Sequence, residues 1–466
     1  MKLLINYFNF KKQGNEYLIT NDAGRYLFVN EKTFDSLIKN NEIGQDDYER
    51  LKENFFIYDE HENVFTEKMK YSVRDNKSYL FSSTALHIFV LTNICNMSCI
   101  YCQAKDDTNI VHHTMSKEIA EKSVDIALSS PSRFLTFEFQ GGEPLANFEV
   151  LKHIVLYTEE HKKSKNISYS IVTNLTLLTE EMLDFLIQYE INISTSLDGL
   201  EVVHNTNRVL QNGQGTYNIV VEKIKAIQER NYEIGAIQTT TKESLKYHKE
   251  IIDTYVSCKQ NSIFIRPLTK LGTAERVWDE IGYTAEEFIE FYEKCLRYII
   301  KLNQEGIDIC ERHAMIFLKK ILGGFSENYM ELRSPCGATI GQMAYFYDGN
   351  VFTCDEGRML YEMGEDAFKL GNVFENNYDD LIKAPACKAV CIASLLEGQL
   401  KCCDCVYQPY CGTCPVINFA QERDLFFKNI HSFRCKVYCG MLDVIFSILH
   451  DNKPEEIEVF NKWIGE

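Results

Sequence analysis

Three cysteines lie close together near residue 100 with the spacing Cys-x₃-Cys-x₂-Cys. They are Cys95, Cys99 and Cys102, and they directly follow the apolar run 86–91. Three thiolates on one short loop can bind three irons of a four-iron cluster, whereas structural iron–sulfur clusters usually have four cysteine ligands. The spacing therefore predicts a cluster whose fourth iron is free to bind another molecule. A zinc site that lacks one ligand, or three unrelated thiols, are the alternatives.

The other cysteines are distributed unevenly along the chain. Of the 17 cysteines, eleven fall between Cys336 and Cys439. The N-terminal stretch is interrupted by Asn and Lys and does not have the pattern of a signal peptide, so we expect a cytoplasmic protein. Because that compartment keeps thiols reduced, the crowding indicates metal or cluster binding and not a disulfide framework.

The composition limits the possible partners. The 466 residues carry 49 Lys and Arg against 67 Asp and Glu, a net charge of −18. This acidity argues against a nucleic-acid partner, because phosphate binding needs clustered cations. No apolar run approaches the roughly 18 residues of a membrane span, so no membrane partner is expected.

The middle of the chain alternates strand-like and helix-like segments. Six apolar or alternating runs are separated by stretches of helical period, which predicts an α/β fold with a parallel sheet curled into a partial (βα)6 barrel over residues 83–310. In such folds ligands bind at the carboxyl ends of the strands, which is where the cysteine triplet lies. The six runs are 86–92, 134–140, 168–174, 191–197, 233–239 and 262–268.

Polar or glycine residues follow several of these strands. Glycines at a strand end let the backbone approach a ligand closely, and an arginine can pair with a carboxylate through two hydrogen bonds. Each residue taken alone is more often structural, and an arginine at a barrel rim is often simply solvated. The candidates are Gly141, Gly142, Glu143, Pro144, Thr173, Asn174, Ser196, Asp198, Arg208 and Arg266.

The triplet, with Tyr101 before its last cysteine, resembles the radical S-adenosylmethionine (AdoMet) superfamily. The residues that follow the later strands match the order of that family's motifs. The resemblance implies that the open iron chelates the amino and carboxylate groups of AdoMet. It also implies that Tyr101 and the ten candidates contact AdoMet, with the GGEP segment at the amino group, Arg208 near the carboxylate and Arg266 near the adenosine.

The spacing of the C-terminal cysteines resembles the SPASM domain, here expected over residues 311–466. The resemblance implies two auxiliary 4Fe–4S clusters, one held by Cys336, Cys354 and Cys414, the other by Cys402, Cys405, Cys411 and Cys435. Two departures leave the ligand sets open. The gap between Cys411 and Cys414 is two residues long, where the family has three, and four cysteines are surplus to the pattern. A surplus cysteine could complete the first cluster, or that cluster has an open iron; a zinc ribbon is the alternative for the central group. The surplus cysteines are Cys387, Cys391, Cys403 and Cys439.

An acidic residue directly follows Cys354. In SPASM-type sulfatase maturases an acid at this position is the candidate general base, so the resemblance makes Asp355 the candidate catalytic residue here. A carboxylate near a cluster can accept a substrate proton if burial brings its pKa toward neutrality. The alternative is an exposed acid in an acidic loop beside Glu356.

Residues 1–82 have a different pattern from the barrel. Strand-like runs at 4–10, 15–21 and 24–30 precede helical stretches at 31–40 and 45–55. This order resembles the winged-helix recognition domain of peptide-modifying enzymes, which binds a leader peptide by adding it as a strand to a sheet edge. A small cap on the barrel is the alternative.

The whole chain thus resembles radical AdoMet SPASM peptide maturases, and YLITNDAGRYLFVN and CNMSCIYCQA resemble the maturases of the His-Xaa-Ser system. The resemblance implies AdoMet, three 4Fe–4S clusters and a flavodoxin- or ferredoxin-like electron donor. A 5′-deoxyadenosyl radical would take a side-chain hydrogen from a ribosomally synthesised precursor peptide and lead to an oxidative intrapeptide crosslink. A carbon–carbon, cyclophane-type bond is favoured; a thioether or formylglycine are the alternatives. A non-catalytic iron–sulfur electron carrier or zinc scaffold is the alternative from another class.

Overall fold

The computed structural model describes residues 3–39, 42–59, 63–105, 112–324, 327, 329–427, 430 and 432–465. Its N-terminal region is a three-stranded antiparallel sheet of order β2-β3-β4, beside a two-stranded pair of β1 and β5 and three helices. Phe34, Leu51 and Phe56 belong to its own small core. The elements are β1 (Leu3–Ile5), β2 (Asn9–Gln13), β3 (Glu16–Thr20), β4 (Tyr26–Asn30), α1 (Glu31–Lys39), α2 (Gln45–Glu53), β5 (Ile57–Asp59) and α3 (Asn63–Asn76).

One detail of the N-terminal region differs from the sequence-based prediction. The run 4–10 was expected to be one strand, but the chain leaves β1 at Ile5 and enters β2 at Asn9. The two strands join different sheets, since β1 pairs with β5 and β2 pairs with β3. The side chain of Asn6, at the break, donates to the carbonyl of Phe55 at 2.8 Å and ties the turn to α2's end.

The central region contains the six predicted strands, all parallel to their neighbours, so the predicted parallel α/β fold is confirmed. Helices between the strands bury apolar faces against the sheet, as their 3.6-residue period requires. The elements are β6 (Leu86–Val90), α4 (Lys117–Leu128), β7 (Phe134–Gln140), α5 (Phe148–His161), β8 (Asn166–Val172), α6 (Glu180–Gln188), β9 (Asn192–Ser196), α7 (Glu201–Asn207), α8 (Tyr217–Glu229), β10 (Ile234–Thr239), α9 (His248–Ser257) and β11 (Ser262–Arg266).

The sheet continues beyond these six strands at both ends. A two-residue strand extends it after β11, and a strand of the C-terminal region pairs in parallel with β6, followed by two antiparallel strands. The result is one ten-stranded sheet. The added strands and the helices around them are α10 (Thr273–Arg276), α11 (Trp278–Ile281), α12 (Ala285–Gln304), β12 (Cys310–Glu311), α13 (Arg312–Ile321), β13 (Gln342–Tyr345), β14 (Asn350–Phe352) and β15 (Lys369–Asn372).

The C-terminal region is more helical than its weak periodicity suggests. The longest of its helices, α18, packs against α12 of the barrel through a largely apolar face. Four of these helices have only five to nine residues, which is too few turns for a clear periodic signal in the sequence. Its helices are α14 (Asp355–Glu362), α15 (Tyr378–Ile382), α16 (Pro385–Ala393), α17 (Pro415–Glu422), α18 (Phe433–Asp451) and α19 (Pro454–Ile464). None of the helices in the described ranges has the length and apolar character needed to span a bilayer.

Candidate active site

The loop after β6 carries the cysteine triplet. The amide of Cys102 donates to the carbonyl of Cys99 at 3.3 Å, so the loop folds back on itself. Burial raises the pKa of Cys95 to about 11 and that of Cys99 to about 12. Such thiols stay protonated at neutral pH unless a cation is bound between them, and iron supplies that charge. Three half-buried thiols on one loop therefore fit an iron–sulfur cluster.

The two glycines after β7 pack against the backbone of the same loop. A Cβ on Gly141 would lie 2.5 Å from the carbonyl oxygen of Thr92, and one on Gly142 would lie 2.4 Å from that of Ile94. The amide of Gly142 donates to Thr92 at 2.8 Å. The glycines thus let the GGEP segment pack against the backbone of the cysteine loop. The sequence-based prediction was that they let the backbone approach a ligand.

Glu143 connects the ends of two neighbouring strands. Its buried carboxylate accepts hydrogen bonds from the Thr173 hydroxyl at 2.6 Å and the Asn174 amide nitrogen at 2.7 Å. The side-chain amide of Asn174 points at the Cys95 sulfur, 3.9 Å away. Burial raises the pKa of Glu143, and the three hydrogen bonds, including one from Leu145, oppose that shift. Glu143 therefore positions the strand ends around the triplet.

A buried polar network lies on the other side of the triplet. The Tyr101 hydroxyl donates to Asp198 at 2.7 Å and accepts from the guanidinium of Arg208 at 2.8 Å. Asn207 also donates to Asp198, at 3.0 Å. Among the residues that the structure describes, none provides a hydrogen-bond acceptor for the buried Nε of Arg208. Since unpaired buried donors are rare, this nitrogen is available for an acceptor that a ligand would bring.

An open cavity of about 1430 Å³ lies between the inner face of the barrel and the C-terminal region. Pro144 and Asp198 are buried behind its wall. The second predicted cysteine group is outside the described wall. The predicted site residues that line the cavity are Cys95, Cys99, Tyr101, Cys102, Gly141, Gly142, Glu143, Thr173, Asn174, Ser196, Arg208, Arg266, Cys336, Cys354, Asp355 and Cys414.

Arg266 does not simply face solvent at the barrel rim. Its guanidinium lies 2.8 Å from the carboxylate of Glu331 and 2.6 Å from the hydroxyl of Tyr329. Arg434 of α18 pairs with the other oxygen of Glu331 at 3.1 Å. Burial alone would raise the pKa of Glu331, but the two arginines hold it well below its usual range. This ionic group joins β11 to the C-terminal helices.

The cysteines of the first predicted auxiliary group share one small core with Val390 and Val416. Burial raises the pKa of all three thiols, so they also fit a bound cation. Next to them the Asp355 carboxylate accepts from Arg358 at 2.7 Å. Arg358 is buried and also contacts Gln140 of β7, at 3.2 Å. Asp355 is therefore an oriented acid at the cavity wall and not a free surface group.

The second predicted auxiliary group lies between α18 and the N-terminal sheet. The side-chain amide of Asn9, in β2, donates at 3.1 Å to the carbonyls of both Cys403 and Cys405. Thr20 of β3 donates to the carbonyl of Val406 at 2.7 Å. The described residues contain no group of three or more His, Cys, Asp or Glu side chains arranged to hold a single metal ion.

Several polar residues of the cavity were not identified from the sequence. Glu138 lies on the inner face of β7, and burial raises the pKa of its carboxyl. Glu331, Glu356 and Arg434 were missed as well. The sequence could have indicated Glu138, because Thr136, Glu138 and Gln140 alternate along β7 and make one face of the strand polar.

Comparisons with known proteins agree with this geometry. The profile of the radical SAM superfamily matches residues 89–254. An uncharacterized protein of Methanocaldococcus jannaschii is 30% identical over 216 residues, which are 46% of this chain and 73% of that protein. The cysteine-type anaerobic sulfatase-maturating enzyme of Clostridium novyi is 25% identical over 327 residues, 68% of this chain and 83% of the relative.

Solved structures show the same fold. The enzyme anSMEcpe, determined with bound AdoMet and the Kp18Cys peptide, superposes with a TM-score of 0.68 at 20% identity, over 81% of this chain and 99% of that one. Streptococcus suis SuiB, bound to its precursor peptide SuiA, gives a TM-score of 0.56 at 16% identity, over 91% and 98%. The family profile and the relative in Methanocaldococcus jannaschii, together with the cysteine triplet, establish that the chain belongs to the radical SAM superfamily, whose members bind AdoMet and a 4Fe–4S cluster.

Proposed function

We propose that this protein is a radical AdoMet enzyme that forms an oxidative crosslink within a ribosomally synthesised peptide. A carbon–carbon bond of cyclophane type is the favoured product. The observation that carries the proposal is the single cavity that contains both the AdoMet-type triplet and the cysteines of the first auxiliary group. Its volume, about 1430 Å³, exceeds the roughly 300–1,000 Å³ of a small-ligand pocket and leaves room for a peptide segment beside AdoMet.

In this proposal Cys95, Cys99 and Cys102 hold the first of three 4Fe–4S clusters. The free Nε of Arg208 binds the AdoMet carboxylate, while Tyr101 and Asp198 fix the guanidinium. The remaining predicted residues shape the AdoMet site around the strand ends. When bound, AdoMet would supply the group that abstracts a hydrogen atom, and the clusters would take up the surplus electron. A flavodoxin- or ferredoxin-like protein would exchange electrons with the clusters.

The crosslink removes two hydrogens from the peptide. One would leave as a hydrogen atom, through the chemistry that bound AdoMet would supply, and the other would leave as a proton. Asp355 is the proposed proton acceptor, because it faces the cavity and Arg358 fixes its orientation. The residual electron would be left to a cluster held by the cysteines of the C-terminal region, so atoms and charge balance.

The N-terminal region is the proposed leader-peptide recognition site, spanning residues 1–82. Within the described residues β2 pairs with β3 alone, so its outer edge retains backbone groups that another strand can use. SuiB, whose structure includes a precursor peptide, aligns over 91% of this chain, which supports a peptide substrate. The barrel at 83–310 and the SPASM-like region at 311–466 complete the proposed domain organisation.

Anaerobic reconstitution followed by co-expression tests the proposal. We expect about 12 irons per chain, for three four-iron clusters, and AdoMet cleavage under dithionite. A peptide encoded beside the gene should lose two hydrogens and show a crosslink by tandem mass spectrometry. Cys99→Ala should abolish AdoMet cleavage, whereas Cys310→Ala, a cysteine in β12 outside the site, should not. Bound zinc without AdoMet cleavage would contradict the enzyme class and favour a scaffold or carrier.

Formylglycine formation is the second candidate, because the relative in Clostridium novyi is a sulfatase-maturating enzyme. Its product is an aldehyde, which a hydrazide probe labels and a crosslink does not. A thioether product requires a peptide cysteine and disappears when that cysteine is replaced by alanine. The same mass spectra therefore separate the three products.

A further inference from the structure

Helix α18 presents two cysteines to the second auxiliary group, one turn apart. The sulfurs of Cys435 and Cys439 lie 4.0 Å from each other. Motif spacing assigns Cys435 as the ligand and leaves Cys439 without a role. The surroundings of the two thiols differ in ways that the spacing does not reveal.

The loop that follows Cys405 runs along one face of α18. The hydroxyl of Tyr407 donates to Asp443, and the rings of Tyr407 and Tyr410 each lie 5.7 Å from that of Phe446. On a helix, residues 439, 443 and 446 share one face because they are separated by four and three positions. Cys435 lies on the same face, four residues before Cys439, so the contacts at Asp443 and Phe446 leave Cys439 one turn nearer than Cys435 to the start of the loop at Cys405.

Thiol contacts agree with the register. The Cys439 thiol interacts with the thiols of both Cys405 and Cys435, and Cys411 is close enough to affect it electrostatically. The side chain of the N-cap residue Ser432 accepts a hydrogen bond from the backbone amide of Cys435 at 3.0 Å, so Cys435 belongs to the first turn of α18. Cys439 is thus a helix thiol in contact with the loop cysteine Cys405.

We propose that Cys439 is the fourth ligand of the second auxiliary cluster, together with Cys402, Cys405 and Cys411, and that Cys435 is not a ligand. Cys435 instead lies 4.0 Å from the Cys439 sulfur, where its thiol would be able to donate a hydrogen bond to the Cys439 thiolate. Hydrogen bonds to cluster sulfurs are one determinant of the reduction potential. The inference rests on the proposed function in that it takes this group to hold a cluster.

Thiol footprinting of the reconstituted wild-type protein tests the assignment without relying on a variant that folds. Iodoacetamide is applied anaerobically before and after removal of iron by a chelator, and the labelled peptides are quantified by mass spectrometry. Both cysteines are half-buried, so accessibility alone does not favour either of them. We expect Cys439 to react only after chelation and Cys435 to react in both samples. Protection of Cys435, alone or together with Cys439, overturns the proposal.

Iron content of two variants gives an independent measurement. Cys439→Ala should lose about a third of the iron, one cluster of three, whereas Cys435→Ala should retain it all and show a shifted reduction potential. Cys403→Ala, in the same loop, is the matched control and should change neither. Full iron in Cys439→Ala with a loss in Cys435→Ala contradicts the assignment. A wild-type protein with about eight irons would instead show that the second group holds no cluster, which refutes that part of the proposed function.

Discussion

The two cysteine groups of the C-terminal region lie in opposite environments. Cys336, Cys354 and Cys414 are part of the cavity wall, beside the carboxylates of Asp355 and Glu356. The second group, Cys402, Cys405, Cys411, Cys435 and Cys439, is outside the described cavity wall and is covered by the N-terminal sheet. The three thiols of the first group line the cavity, whereas the five thiols of the second group are covered by protein.

This difference indicates different tasks for the two groups. A cluster at the cavity wall would be able to exchange an electron directly with a peptide radical. A cluster under the N-terminal sheet would be separated from substrate but linked to the region proposed to bind the leader peptide. The ion group of Arg266, Glu331 and Arg434 stands at the junction, since Arg434 interacts electrostatically with Cys414 as well as pairing with Glu331.

Removing one thiol from each group should give the largest contrast. We expect Cys354→Ala to abolish peptide product while AdoMet cleavage persists, because the triplet Cys95, Cys99 and Cys102 is on a separate loop. Cys405→Ala should reduce product less and should weaken binding of the precursor peptide. Chromatography with mass spectrometry measures 5′-deoxyadenosine and product in the same reactions. Equal loss of product in both variants would remove the distinction between the groups.

The acid beside the first group should have the next largest effect. Asp355→Asn keeps the contact to Arg358 but cannot accept a proton, so product formation should fall by about 10²-fold or more, the usual contribution of a general base. Cluster content and AdoMet cleavage should remain normal. Glu356→Gln is the comparison variant at the neighbouring position. Undiminished turnover in Asp355→Asn, with a loss in Glu356→Gln, would transfer the role to Glu356.

Glu331 at the junction should affect stability more than chemistry. In Glu331→Gln the two arginines lose their counter-charge. The three side chains are between 21% and 28% exposed, so the cost should be below the roughly 3 kcal/mol of a fully buried pair. Because the arginines lower the pKa of Glu331, its stabilising effect is complete above its ordinary value of 4.5 and is lost as the pH falls further.

Urea unfolding of this variant and the wild type measures both effects. The difference between their midpoints should be greatest at neutral pH and should shrink below about pH 4. The control is Glu327→Gln, which removes a weaker ion pair between the Glu327 carboxylate and Lys319 Nζ, 3.9 Å apart. This variant should change the midpoint little. A difference that does not depend on pH would mean that the charge of Glu331 is unimportant.

The barrel was predictable from sequence because its signals are local. Each strand is a short apolar or alternating run, and the cysteine triplet and GGEP turn follow the strands directly. The same alternation places Glu138 and Ser196 on the polar inner face of the barrel. A local pattern, however, does not distinguish a polar face that lines a cavity from one that faces solvent.

The junction and the second group were not predictable in the same way. Glu331 follows an irregular segment, and its partners Arg266 and Arg434 lie far from it in sequence on separate elements. Likewise, motif spacing counts residues and carries no information on how the 405–410 loop aligns with α18. Nor did it indicate that β2 would contact this loop. These features depend on long-range packing.

The contact between the N-terminal sheet and the second group allows the smallest and most specific prediction. Asn9→Ala removes two hydrogen bonds to the carbonyls of Cys403 and Cys405, at a net cost of about 1 kcal/mol each. Amide hydrogen exchange should become faster in peptides covering 403–406, while peptides of the barrel strands are unchanged. Asn6→Ala is the matched control, because Asn6 donates within the N-terminal region, to Phe55. If both variants accelerate exchange equally, the N-terminal sheet affects the loop only through its general stability. If Asn9→Ala alone does so, the sheet holds the 403–406 loop directly, and the second group differs from the first in being connected to the proposed peptide-recognition region.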